Sequence, residues 1–202
     1  MPVYKLMYFN IKGIAESIRW LFAYAGVNYE DRRVSEDEWK TLKPTMPFNQ
    51  MPVLDVDGKR VNQSTAICRY LAKQFGLAGN DDWENFEIDA VVDTINDLRI
   101  KVNAAWYEKI AESKVRQQQV AEEMTELFID RLEDLVKCNG GHLVGGKLTW
   151  ADIMLASTLE LINFRMGRDV IEKAERLKAL RENVQAVPAI KAWLEKRPKT
   201  DY

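Results

Sequence analysis

Apolar positions along the chain follow two different periods, and the change from one to the other divides it. Val3 to Tyr8 is a short run rich in β-branched and aromatic residues that predicts a strand, and Asn10-Ile11-Lys12-Gly13 after it supplies a turn. Ile14, Ile18, Leu21, Phe22 and Ala25 then recur at i, i+4, i+7, i+8 and i+11, the stripe of an amphipathic helix that Gly26 ends as a C-cap glycine. Tyr29 to Val34 is a second, more polar strand. Strand, helix and strand form a βαβ unit that handedness makes parallel and right-handed, with the second strand at an edge. Glu36 to Phe48 mixes Trp39, Lys43 and two prolines without a period, so an irregular loop with at most one turn of helix is expected there.

The stretch from Pro47 to Tyr70 is the most informative. Met51-Pro52-Val53-Leu54 predicts a strand entered through a proline, which has no ladder donor and is tolerated only at a first residue or an edge. An extended peptide could therefore pair beside Met51. Asp57-Gly58 between Val53-Leu54-Asp55-Val56 and Lys59-Arg60-Val61 is a strong hairpin signal. Gln63-Ser64 leads into the spacing Ile67, Leu71 and Phe75, which makes Ser64 a good N-cap of a helix whose exposed N–H groups suit a carboxylate. The order β-α-β then β-β-α is a thioredoxin-like arrangement by pattern. The paired cysteines of that redox fold are absent.

After Gly76 to Asn80 glycine disappears until Gly140, and helix formers dominate. The expected organisation is residues 1–79 as an α/β thioredoxin-like domain and 80–202 as an all-α domain. Asp81 and Glu84 read as a capping-box-like start to a helix of 20 or more residues, with Phe86, Val91, Ile95, Leu98 and Val102 on its apolar face. A second long helix runs from about Glu112 to Cys138, with Leu127, Leu132 and Leu135 inward. Leu148-Thr149-Trp150-Ala151-Asp152-Ile153 predicts a capping box and a hydrophobic staple, Leu155, Leu159 and Ile162 continue that helix inward, and two more helices cover Leu177 to Val187 and Pro188 to Lys196.

Composition narrows the function classes. Twenty-nine basic and 31 acidic residues are interleaved to a formal net charge of -2, which leaves no electrostatic footprint for nucleic acid or an anionic membrane. No apolar run resembles a signal peptide or spans a bilayer, so a cytoplasmic protein is expected. Cys68 and Cys138 are far apart and form neither a Cys-x-x-Cys pair nor a metal-ligand cluster, and no metal site is expected. His142, the only histidine, reads as a plain loop residue.

Tyr8, Trp39 and Lys43, Asn49-Gln50-Met51-Pro52-Val53, Gln63-Ser64-Thr65-Ala66-Ile67 and Leu148-Thr149-Trp150-Ala151-Asp152, in that register, resemble a cytosolic glutathione transferase of the sigma class, most like its insect members. The likeness runs the length of the chain, to Arg197-Pro198-Lys199-Thr200-Asp201. It implies glutathione as co-substrate and a homodimer that conjugates the glutathione thiolate to small hydrophobic electrophiles, lipid-peroxidation products among them. It also implies a site. Tyr8 would donate to the glutathione sulfur, and Met51, beside a cis peptide at Pro52, would pair with the cysteinyl backbone. Ser64 and the helix start beside Gln63 would take the γ-glutamyl carboxylate. Trp39 and Lys43, with Gln50 nearby, would take the glycyl carboxylate. Asp97 matches a carboxylate that reaches the glutathione ammonium from a neighbouring subunit, and Phe9, Trp106 and Tyr107 would line the electrophile pocket.

Pattern alone makes Tyr8 an ordinary strand aromatic, and Asp93, Asn96 and Asp97 one solvated helix face; the resemblance adds that Asp93 and Asp97 could attract a divalent cation at the subunit interface, where Asn96 weakens the carboxylate cluster. Two positions depart from the resemblance. Ile14 stands where prostaglandin-isomerising members carry an arginine, and Ala104 where they carry a tryptophan. Glutathione-dependent isomerase or peroxidase action on lipid-derived substrates is the alternative activity, and a crystallin-like relative without activity is the alternative to an enzyme.

Overall fold

In the computed structural model, which describes residues 2–200 and 202, the chain begins with β1 (Tyr4–Phe9), α1 (Glu16–Ala25), β2 (Glu30–Val34) and α2 (Glu36–Leu42). The hairpin of β3 (Val53–Val56) and β4 (Lys59–Asn62) and helix α3 (Ser64–Gln74) follow. The four strands form one mixed sheet in the order β2-β1-β3-β4, with β1 parallel to β2 and antiparallel to β3. The βαβ-ββα order and the edge position of β2 are as the sequence predicts. Asp57 and Gly58 both have positive φ, 50° and 85°, the backbone that a tight hairpin needs to match strand twist. Leu6, Met7, Val53, Ile18, Trp20 and Phe22 are buried among the sheet and α1.

The segment expected to be irregular holds a helix instead. Ser35 Oγ accepts from the Glu38 N–H at 3.2 Å, and Glu38 Oε2 accepts from the Ser35 N–H at 3.0 Å, so a complete capping box opens α2. Ser35-x-x-Glu38 carries that signal in the sequence, but no apolar stripe accompanies it because α2 buries no residue fully. Ser35→Ala should cost about 1 kcal/mol, the typical worth of an N-cap, read as a lower midpoint in urea. An unchanged midpoint would show that the box contributes nothing.

The remaining helices are α4 (Asp82–Tyr107), α5 (Ala111–Cys138), α6 (Trp150–Met166), α7 (Glu175–Ala186) and α8 (Pro188–Lys196). Asp81 caps α4, its Oδ1 accepting from the Glu84 N–H at 2.8 Å, while Glu84 returns to the N–H of Asn80 and not to that of Asp81. The inward row of α4 is Ile88, Val92, Ile95, Leu98 and Val102, so Phe86 and Val91 do not belong to it: Phe86 is exposed beside the exposed Trp83, their rings 5.6 Å apart. On α5 the buried row runs through Ala121, Thr125, Ile129, Leu132 and Val136. Leu127 and Leu135 face outward, because the inward row uses small residues that a search for leucines passes over. Twelve of the residues of α6, from Trp150 to Ile162, are buried, so nearly every side of this helix is covered. Asp152 opens it, accepting from the N–H groups of Thr149 (2.7 Å) and Leu143 (2.9 Å).

By packing, the described residues up to Gly76 group with those from Val187 onward as one unit, and Leu77–Ala186 form a second. Helix α8 thus lies with the thioredoxin-like unit, against α1, although the expected domain of residues 80–202 counted it with the other helices.

Candidate functional site

Three segments that sequence alone singled out end on the same row of the sheet. Met7 of β1 pairs with Val53 of β3, and Val53 pairs in turn with Asn62 of β4. One residue further on, that register brings Tyr8, Pro52 and Gln63 to the same end of the sheet, where both ladders of β3 have stopped. Met51 lies beyond the last ladder pair, so β3 begins at Val53, after the residue that has no donor to give. The Met51–Pro52 peptide is cis.

Tyr8 is 8% exposed and its ring meets that of Phe9 edge-on at 5.7 Å, while Phe9 meets Trp39 edge-on at 5.7 Å. Trp39 itself leans on the buried cluster of Met7, Met46 and Val53, as do Leu42 and Met51. Three aromatic residues from β1 and α2 are therefore linked through Phe9 by successive edge-on contacts. Gly13, at the turn after β1, closes on the phenol. A Cβ at this position would lie 2.8 Å from the Tyr8 hydroxyl oxygen and 2.9 Å from a ring carbon, and the backbone there has φ +46°. Only glycine gives both that approach and that conformation without strain.

Around the hairpin, Asn62 Nδ2 donates to Gln50 Oε1 at 3.4 Å, which commits the carbonyl of Gln50 and leaves its amide donors for another acceptor. Gln63 has φ 75° and ψ 99° and occupies the N-cap position of α3 without a side-chain cap. Ser64 is therefore the first residue of the helix and not its cap: the left-handed turn at Gln63 starts the helix one residue early. The first helical bond runs from the Ile67 N–H to the Gln63 carbonyl at 3.0 Å, so Ser64, Thr65 and Ala66 form the N-terminal turn that precedes it. Ser64 is 7% exposed at that end. Lys43 is exposed and opens a short 3-10 turn after α2.

Asp97 lies in the second unit, exposed on α4, with Asp93 exposed one turn earlier. Asn96 does not share their face: it is 8% exposed and accepts from Arg99 Nε at 3.2 Å. Trp106 and Tyr107 end α4, both partly exposed, the first with its ring 5.5 Å from Phe164 and the second under the Arg165 guanidinium at 4.9 Å. His142 Nδ1 stands 3.8 Å from Oδ2 of Asp152, a neighbour that sequence did not identify. That carboxylate is already engaged in opening α6. Cys68 is buried, which pushes its thiol up to about 12, and Cys138 is exposed.

Sequence reasoning passed over Gly13, read only as part of a turn, and the pair Glu16 and Arg19 on α1. The pair carried a signal: opposite charges three residues apart lie on one helix face, and here that face is buried.

Chemically, the sheet end offers a phenol backed by a glycine, a backbone segment past its ladders, and a helix N-terminus. It also offers an indole and an ammonium on a neighbouring helix and turn. That set suits an extended, twice-carboxylated peptide with a reactive atom near the phenol.

Comparison with known proteins agrees with that chemistry. The family model described as Glutathione S-transferase, N-terminal domain, matches residues 4–73, and that for the C-terminal domain matches residues 96–197. Glutathione S-transferase S1 of Drosophila melanogaster is 48% identical over 201 residues, covering 98% of this chain and 80% of that protein. Hematopoietic prostaglandin D synthase of Gallus gallus is 44% identical over 204 residues, 99% of each. Among solved structures, prostaglandin synthase D of Nilaparvata lugens matches with a TM-score of 0.93 at 44% identity, over 98% of this chain and 100% of that one.

Proposed function

The chain belongs to the glutathione transferase family and is an enzyme with glutathione as co-substrate, and from that premise we propose a sigma-class, homodimeric, cytoplasmic enzyme whose thiolate-stabilising group is Tyr8. It conjugates glutathione to hydrophobic electrophiles. The phenol donates a hydrogen bond to the sulfur, the thiolate attacks the electrophilic carbon, and the new C–S bond forms as the leaving group departs or the acceptor double bond takes up a proton. Met51 pairs with the cysteinyl backbone, Ser64 and the α3 N-terminus beside Gln63 hold the γ-glutamyl carboxylate, and Trp39, Lys43 and Gln50 hold the glycyl carboxylate. Asp97 of the partner subunit takes the ammonium. Phe9, Trp106 and Tyr107 are assigned to the electrophile, with lipid-peroxidation products among the substrates.

The observation that supports this reading is the sheet row Met7, Val53 and Asn62, one residue beyond which the chain carries Tyr8, Pro52 and Gln63 at the same end of the sheet. The ultraviolet absorbance of bound glutathione against pH tests it. A thiolate band with a midpoint at least about one unit below the roughly 8.5 of a free thiol is the expected result. A midpoint at the free-thiol value, or no binding by calorimetry, would sink it.

Similarity to prostaglandin D synthases favours glutathione-dependent isomerisation as a second activity, and Ile14 and Ala104 weigh against it. Turnover of a chloro-aromatic, 4-hydroxynonenal, a lipid hydroperoxide and an endoperoxide, compared side by side, separates conjugation from peroxidase and isomerase action.

A further inference from the structure

Beneath this site Arg19 is fully buried on α1 and divides its guanidinium among four acceptors. Its Nη1 donates to the main-chain carbonyls of Ile11 (2.9 Å) and Lys12 (3.2 Å) and to Oε2 of Glu16 (3.1 Å), and its Nε donates to Oδ1 of Asp31 (3.2 Å). The two carboxylates, one on its own helix and one on β2, fix the plane of the guanidinium. The two carbonyls belong to the turn that runs directly into Gly13. From the other direction the Lys12 N–H donates to the main-chain oxygen of Tyr202 at 2.7 Å. The backbone that leaves no room for a Cβ beside the Tyr8 phenol is thus held on one side by a buried arginine and on the other by the main chain of Tyr202.

We propose that Arg19, with the main-chain oxygen of Tyr202, is a positioning residue for the thiolate: by fixing Ile11 and Lys12 it sets Gly13 against Tyr8 and so fixes the direction of the phenol O–H. Its charge is taken up by Glu16 and Asp31, so it acts through geometry and not as a cation facing the sulfur. Lysine at this position keeps the charge but, as a compact ammonium with three donors, cannot reproduce the planar grip on four acceptors.

The proposal rests on the assignment of Tyr8, and a double-mutant cycle keeps the two separable. Thiolate absorbance of bound glutathione is titrated in wild type, Arg19→Lys, Tyr8→Phe and the double variant. Arg19→Lys should raise the midpoint by roughly half a unit, a fraction of one charge-assisted hydrogen bond, and should add nothing in the Tyr8→Phe background. An Arg19→Lys curve that coincides with wild type, or a shift that persists undiminished without the phenol, overturns the proposal while leaving Tyr8 in place. A Tyr8→Phe curve that coincides with wild type removes the Tyr8 assignment and this proposal together. Should Arg19→Lys fail to fold, the chain truncated after Lys199 keeps Arg19 and loses the Tyr202 grip, along with Thr200, whose hydroxyl donates to the same Tyr202 oxygen at 3.2 Å, and Asp201. It should move the midpoint in the same direction, again only when Tyr8 is present, and no movement overturns the proposal.

Discussion

Tyr8→Phe should raise the midpoint at which bound glutathione ionises by about one to two units, because one hydrogen bond to a charged acceptor is worth about 1.5 to 3 kcal/mol and one pKa unit is about 1.4 kcal/mol. Near neutral pH the thiolate fraction then falls by roughly tenfold or more, and kcat/KM for a chloro-aromatic should fall with it. At a pH well above the mutant's midpoint the thiolate is fully formed in both enzymes and the difference should narrow, which a general loss of structure would not produce. The substitution removes a single oxygen from a ring held by Phe9 and Gly13, so glutathione affinity should change little. A mutant with wild-type activity at neutral pH would require another source for the thiolate.

Glu16→Gln should cost about 3 to 5 kcal/mol in urea unfolding, the loss expected when one partner of a buried charge network is removed. The carboxylate is 2% exposed. Its Oε1 accepts from Trp20 Nε1 (3.0 Å), Trp193 Nε1 (2.9 Å) and Arg197 Nη1 (2.8 Å), and its Oε2 accepts from Arg19. An amide neutralises none of that positive charge and turns a donor toward donors. An exposed pair such as Lys40 and Asp37 gives the contrast: its loss should cost no more than about 0.5 kcal/mol. The sign with pH is fixed by the direction of the shift. Burial alone would raise the Glu16 carboxyl, but the Arg19 charge and the hydrogen bonds from Arg197 and Trp193 outweigh it and hold the group below its ordinary value. A carboxyl depressed in the folded state stabilises fully above its unfolded pKa of about 4.3 and loses that contribution as pH falls through the lower folded value. Wild type should therefore lose stability on acidification over that window, and Glu16→Gln should lose less of it. A cost under 1 kcal/mol, measured at matched protein concentration, would contradict the network's weight.

How far the sequence was legible depended on whether a local rule spoke to a local fact. Asp57-Gly58, Gly26 after its helix, and Thr149 with Asp152 each carry their geometry in two to four residues, and each turned up as expected. Which helix face points inward was less legible, because burial is decided by neighbours far along the chain: Ala121 and Thr125 are inside and Leu127 is outside although hydrophobicity ranks them the other way. Ser64 missed its expected cap role for a backbone reason, the positive φ at Gln63, that no side-chain rule foresees. The sheet end with Tyr8, Met51 and Ser64 was named by motif register. What the motifs could not convey was the approach of Gly13 to the phenol or the four-way grip of Arg19, since both depend on tertiary distances.

The first unit is built from two stretches of chain separated by the whole of Leu77–Ala186, and this sets an order of events during synthesis. Glu16 emerges early, beside Arg19 and Trp20, but two of its donors, Trp193 and Arg197, are made only after Leu77–Ala186. At translation rates of about 5 to 20 residues per second the ribosome needs on the order of ten seconds to cross that interval. Throughout it the nascent βαβ-ββα segment carries a carboxylate site only half filled. The glutathione-binding half, which begins before Leu77, is therefore completed only after the whole of Leu77–Ala186 has been made.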